Sequence, residues 1–167
     1  MIRLMGALLI CAVCIWVGFS AADRLRRRRD FLESFVTSLS VLETEIVFGK
    51  YELEDIFRRM SADERLYGMY KLCAGQIGEY GIKRAWNDAV SAVADAASLT
   101  DNDIDTVCAL GPELGMSDIN GQIRAIERTS ELASKNAAEA GERCTRLTRV
   151  YRGCGVLSGA FAVLMLM

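Results

Sequence analysis

The chain has 167 residues, 51% of them hydrophobic, with 20 Lys and Arg against 22 Asp and Glu for a formal net charge of −2. That length fits one domain plus additional apolar sequence, and a single proline leaves no Pro-rich linker to divide it. Histidine is absent, which removes the usual general base near neutral pH and the commonest metal ligand.

Leu4 to Ala22 is an uncharged, mostly apolar run containing Trp16, matching one membrane crossing of roughly 20 residues. The competing reading is a cleaved signal peptide, with Arg3 in its n-region and Ser20-Ala21-Ala22 as a small-residue cleavage site. Arg24 and Arg26 to Arg29 follow directly. Translocating such a cluster is unfavourable, so the run is expected to remain as an anchor with the arginines on the cytoplasmic side. Leu25, Leu32, Phe35, Leu39, Leu42 and Ile46 then fall on one heptad seam. The first helix is therefore expected to leave the membrane and run to about Phe48, with Gly49 as its stop.

Shorter helices follow. One covers Leu53 to Met60, and a second Ala62 to about Tyr80, with Ser61 as cap and Gly81 as stop. Ile82, Trp86, Ala89 and Val93 mark a third, and Thr100 caps a fourth that holds Ile104, Val107 and Cys108. No window alternates as a strand does. A second seam runs Ile119, Ile123, Ile126, Ser130, Ala133, Ala137, Ala140, Cys144, Leu147 and Tyr151, with Ser117 as cap and Asp118 in the first turn. It leads into Gly153 to Met167, a charge-free run preceded by Arg146, Arg149 and Arg152. That run is short for a span and would also fit a buried core helix. Snorkelling arginines or local thinning can absorb the shortfall.

The expected fold is all-α. An N-terminal transmembrane helix covers 1–22, a cytoplasmic helical bundle 23–152, and a C-terminal transmembrane helix 153–167. The two long helices should run antiparallel, and matching their seams sets Phe35 near Ala140, Leu39 near Ala137 and Leu42 near Ala133, large against small.

Candidate chemistry is sparse. Cys11-x-x-Cys14 lies inside the first apolar run without a second ligand pair. Cys73, Cys108, Cys144 and Cys154 are scattered and should be free thiols in a reducing cytoplasm. Asp101-Asn102-Asp103-Ile104-Asp105 opens like a calcium loop, but Thr106 stands where glycine is needed and Pro112 where the bidentate glutamate belongs. Glu43 and Glu45, two apart on a helix, point in different directions and cannot share a substrate. There is no phosphate loop, dinucleotide fingerprint or serine elbow. No catalytic residue, cofactor or metal site is expected. The arginines at 24 to 29 should set topology and attract anionic lipid rather than nucleic acid. From Ala85 to Gln122 there is no Lys or Arg, while Asp88, Asp95, Asp101, Asp103, Asp105, Glu113 and Asp118 are acidic. This is either a solvated surface or a docking face for a basic partner. Gly155-x-x-x-Gly159 has the spacing that lets membrane helices approach closely.

Four strings carry a family resemblance. They are Leu42-Glu43-Thr44-Glu45-Ile46-Val47-Phe48-Gly49 followed by Leu53; Ala85-Trp86; Leu110-Gly111 with Leu114-Gly115-Met116-Ser117-Asp118 and Gln122; and Tyr151-Arg152-Gly153-Cys154-Gly155-Val156-Leu157-x-Gly159. In order and spacing they resemble the stage III sporulation protein AB family along nearly the whole chain. Glu52, where the family often has proline, and Pro112 depart from it. The resemblance implies a component of a sporulation channel in the mother-cell membrane around the forespore. It also implies a cytoplasmic domain similar to those of type II secretion platform proteins, which link a cytoplasmic secretion-type ATPase to other membrane components. The expected role is a non-enzymatic scaffold, with a small membrane-bound enzyme of unrecognised site as the alternative. Two surfaces compete as the partner-binding site: Glu43, Glu45, Gly49 and Leu53, or the acidic Asp101, Asp103 and Asp105.

Overall fold

The computed structural model describes residues 2–48, 51–61, 66–115 and 118–166, with side chains described for Trp16, 20–48, 51–61, 66, 68–115 and 118–150. The described residues form α1 (Ile2–Phe48), α2 (Leu53–Met60), α3 (Tyr67–Tyr80), α4 (Ile82–Ala97), α5 (Asp101–Cys108) and α6 (Ile119–Leu166). The fold is all-α, and the chain divides into two compact units, 27–138 and the pair of segments 1–26 with 139–167.

Within 27–138 the α1 seam builds the core. Leu32, Phe35, Leu39 and Leu42 are fully buried and Ile46 nearly so, while Glu33, Thr37, Ser40 and Thr44 face solvent. This is the one-sided burial that 3–4 spacing imposes on a helix. Trp86 of α4 is the centre of an aromatic cluster, its ring 6.3 Å from Phe35, 5.6 Å from Phe57 and 6.2 Å from Tyr70. Buried polar atoms in the cluster are bonded, as burial demands. Trp86 Nε1 donates to the Val107 carbonyl at 2.8 Å, and the Ser38 and Tyr70 hydroxyls pair at 2.6 Å.

The short helices are set by their ends. α2 carries Glu54 and Asp55 in its first turn and Arg58 and Arg59 in its last, complementing the helix dipole. α3 ends at Gly81, whose φ of +75° turns the chain directly into α4. α4 ends at Ser98 in the left-handed conformation, its N–H bonding back to the last turn. α5 opens with a capping box in which the Thr100 side chain accepts from the Asp103 N–H and the Asp103 carboxylate accepts from the Thr100 N–H.

One local expectation changes. Ser61 ends α2 instead of starting α3, its hydroxyl donating to the Arg58 carbonyl at 2.6 Å, and α3 begins at Tyr67. A serine hydroxyl can serve either helix end, so spacing alone does not orient it. At the start of α6 the Asp118 carboxylate accepts from the Gly121 N–H at 3.1 Å and takes the capping role; Ser117 lies outside the described residues. Leu39 lines one groove with Ile126, Ser130 and Ser134 of α6.

In the other unit the Cys144 thiol donates to the Ala22 carbonyl at 3.5 Å, and Ala140 is fully buried. Among the described residues no helix is long and apolar enough to cross a membrane. The apolar runs from Leu4 and from Gly153, with Gly155 and Gly159, lie largely where side chains fall outside the described residues.

Candidate functional site

Two strings far apart in sequence meet at one end of the 27–138 unit. Leu53, half-buried against the core, places its Cδ1 3.3 Å from where a side chain on Gly115 would begin, and Gly115 has a φ of +80°. Gly111 lies against the face of Trp86, where an added Cβ would stand 2.8 Å from the indole Cδ1. Leu110 and Leu114 are fully buried beside them. The apolar members of these strings therefore hold the turn regions onto the core.

Large apolar side chains are exposed in these segments beside the charged Glu52, Asp55, Arg58, Arg59 and Asp118. Phe48 is 69% exposed and Val47 53%, with Tyr51 and Ile119 also largely exposed. Arg59 stacks over the Tyr51 ring at 3.9 Å and lies 4.0 Å from the Glu45 carboxylate. Glu43 faces away from Glu45, into the groove between α1 and α6. Gly49 lies outside the described residues. Of the first expected surface, then, Glu45 belongs to the exposed tip, Glu43 to the groove, and Leu53 to the packing beneath.

The second expected surface does not hold together. Asp101 and Asp105 are exposed, but Asp103 is fully buried. Its carboxylate accepts from Arg28 Nε at 2.6 Å and Nη2 at 3.0 Å, and from the Thr100 N–H at 2.9 Å and hydroxyl at 2.7 Å. Burial alone raises the Asp103 carboxyl, but the hydrogen bonds from Arg28 and Thr100 and the Arg28 charge outweigh it and hold the group below the usual carboxylate range. Asp103 is a structural anchor and no part of a docking face. The cause is position: the third residue of α5 turns back toward its cap, and there it meets α1. The sequence groups Arg28 with the lipid-facing arginines. It precedes Leu32 by four residues and Phe35 by seven, so it extends the buried seam, and that spacing was the signal available.

Two of the described thiols sit where the thiolate is disfavoured. Burial pushes the Cys73 thiol up to about 12, and burial with the nearby Asp105 charge raises Cys108. Among the described residues no group of three or more His, Cys, Asp or Glu side chains could hold a metal ion.

Fold and surfaces together define an all-helical domain with an aromatic core, whose distinctive exposed features are an apolar tip and an acid-lined groove. The chain belongs to the stage III sporulation protein AB family, whose model matches residues 3–167. It is 23% identical over 171 residues to Stage III sporulation protein AB of Bacillus subtilis (strain 168), covering 100% of both chains. A solved structure of Stage III sporulation protein AB shares its fold, with a TM-score of 0.66 at 20% identity, covering 71% of this chain and 97% of that one.

Proposed function

We propose that this sporulation protein is a non-enzymatic membrane scaffold that docks a cytoplasmic secretion-type ATPase through the tip of its helical unit. In this reading α1 and α6 cross the membrane around the forespore at their apolar ends, and the 27–138 unit faces the mother-cell cytoplasm. Support for the anchors comes from the sequence, where Arg24, Arg26 and Arg27 follow one apolar run and Arg146, Arg149 and Arg152 precede the other. The observation that carries the dock is the exposure of Val47, Phe48, Tyr51 and Ile119. Large side chains left in solvent, above a turn that Leu53 and Gly115 hold in place, are the composition of an interface centre.

The test uses the full chain in nanodiscs and the ATPase of the same complex. Val47→Asp with Phe48→Asp should weaken ATPase binding at least about tenfold, a loss typical of removing an interface anchor. Because both side chains are exposed, helical content should not change. Asp101→Lys with Asp105→Lys should leave binding within about twofold apart from its salt dependence. The reverse pattern would move the dock to the acidic face, and ATP hydrolysis by the purified chain alone would overturn the scaffold reading.

A further inference from the structure

The groove between α1 and α6 lies within the 27–138 unit and holds about 370 Å³. Its floor is Val36, Leu39 and Ile126, and its acidic wall is Glu43, Glu127 and Glu131. None of these glutamates has an ion pair among the described residues. Glu127 and Glu131 are four apart on α6, a spacing at which like charges repel. The next stripe around α6 has the opposite sign. Arg128 and Lys135 are exposed, and between them Leu132 is 47% exposed. These two cations likewise have no ion pair among the described residues. One helix thus carries a cation–leucine–cation stripe at i, i+4 and i+7 beside an acid-walled groove with an apolar floor.

We infer that the groove of one copy receives the Arg128–Leu132–Lys135 stripe of a second copy. The two features sit at the same height along α6, since Arg128 to Lys135 spans the same turns as Glu127 to Ser134. A rotation axis running along the helices brings equal heights together without any slide. Arg128 and Lys135 of the second copy then meet Glu127, Glu131 and Glu43, and Leu132 covers the floor. Such a contact is reciprocal in a two-fold dimer and repeats in a closed ring. The partner fits because each side supplies what the other lacks: the groove lacks cations, and the stripe leaves a leucine in water. This contact is separate from the proposed ATPase dock and does not depend on it.

Charge reversal in the full chain, reconstituted in detergent and followed by analytical ultracentrifugation, tests the inference. A groove variant, Glu127→Lys with Glu131→Lys, and a stripe variant, Arg128→Glu with Lys135→Glu, should each lose self-association at least about tenfold. Mixed together they should associate with each other, because the basic groove of one then faces the acidic stripe of the other. All four positions are exposed, so both variants should keep wild-type circular dichroism and melting. Self-association of either variant at wild-type strength would overturn the inference. So would a mixture that stays monomeric, or a wild-type chain that is monomeric throughout. A wild-type monomer whose groove instead binds a synthetic Lys-Leu amphipathic helix, and loses it on reversal of Glu127 and Glu131, would assign the groove to another protein.

Discussion

Arg28 and Asp103 are 75 residues apart in sequence and nearly invisible to solvent, with side-chain exposures of 6% and 0%. Burying two charges carries a desolvation cost that their attraction roughly offsets, so the intact pair is not in itself a large source of stability. Breaking it is different, because the remaining Arg28 charge loses its buried carboxylate. Asp103→Asn also weakens the cap that starts α5. Its expected cost is on the order of 3–5 kcal/mol, read from urea unfolding of the full chain in detergent at pH 7. The folded Asp103 carboxyl titrates lower than in the unfolded chain. Its stabilisation is therefore complete above the unfolded value of roughly 3.9 and is lost as pH falls through the folded value. The gap between wild type and Asp103→Asn should hold steady at neutral pH and narrow in strong acid. A gap that does not narrow would mean that the carboxylate charge is not what Arg28 requires.

Element by element, the readable parts of the fold were those fixed by local rules. The α1 seam, the span of α2, the Gly81 stop and the Thr100 cap follow from spacing and end chemistry within a few residues, and each stands where expected. Spacing alone leaves the register of α1 on α6 open for a physical reason. Two heptad seams match each other again after a slide of seven residues, so large-against-small pairing does not single out one register. The burial of Asp103 is set by a partner on another helix, which no local pattern reports. Gly111 shows a constraint of the same tertiary kind. Gly111→Ala drives a methyl into the Trp86 indole, which is held by its bond to the Val107 carbonyl. The expected loss is about 1–3 kcal/mol, the range for overpacking a filled core. Gly75→Ala in α3 meets nothing within 4 Å and should stabilise by roughly 0.5–1 kcal/mol through helix propensity. Thermal or urea melts of the two variants side by side separate the steric effect from the backbone effect. Equal effects would remove the Trp86 contact as the cause.

At the scale of the whole molecule, the arginines divide into two kinds. Arg28 faces the core and is occupied by Asp103, whereas Arg24, Arg26 and Arg27 are exposed beside the first apolar run. Arg146 and Arg149 are exposed beside the second run, and in the proposed topology these exposed arginines would hold both flanks on the cytoplasmic side. Both flanks carry the same sign on the side facing the helical unit, so the two runs call for the same orientation and do not compete. The resulting topology has an accessible reporter in Asp95, which is exposed near the end of α4. In a background with the native cysteines replaced, Asp95→Cys should resist a membrane-impermeant maleimide in intact cells and react in inverted vesicles. Labelling in intact cells would place the unit outside the cytoplasm and remove the ATPase from reach. If the positive flank holds the first helix in the proposed orientation, reversing Arg24, Arg26 and Arg27 to Glu should raise labelling in intact cells, while Arg28→Glu should act on stability and leave topology unchanged.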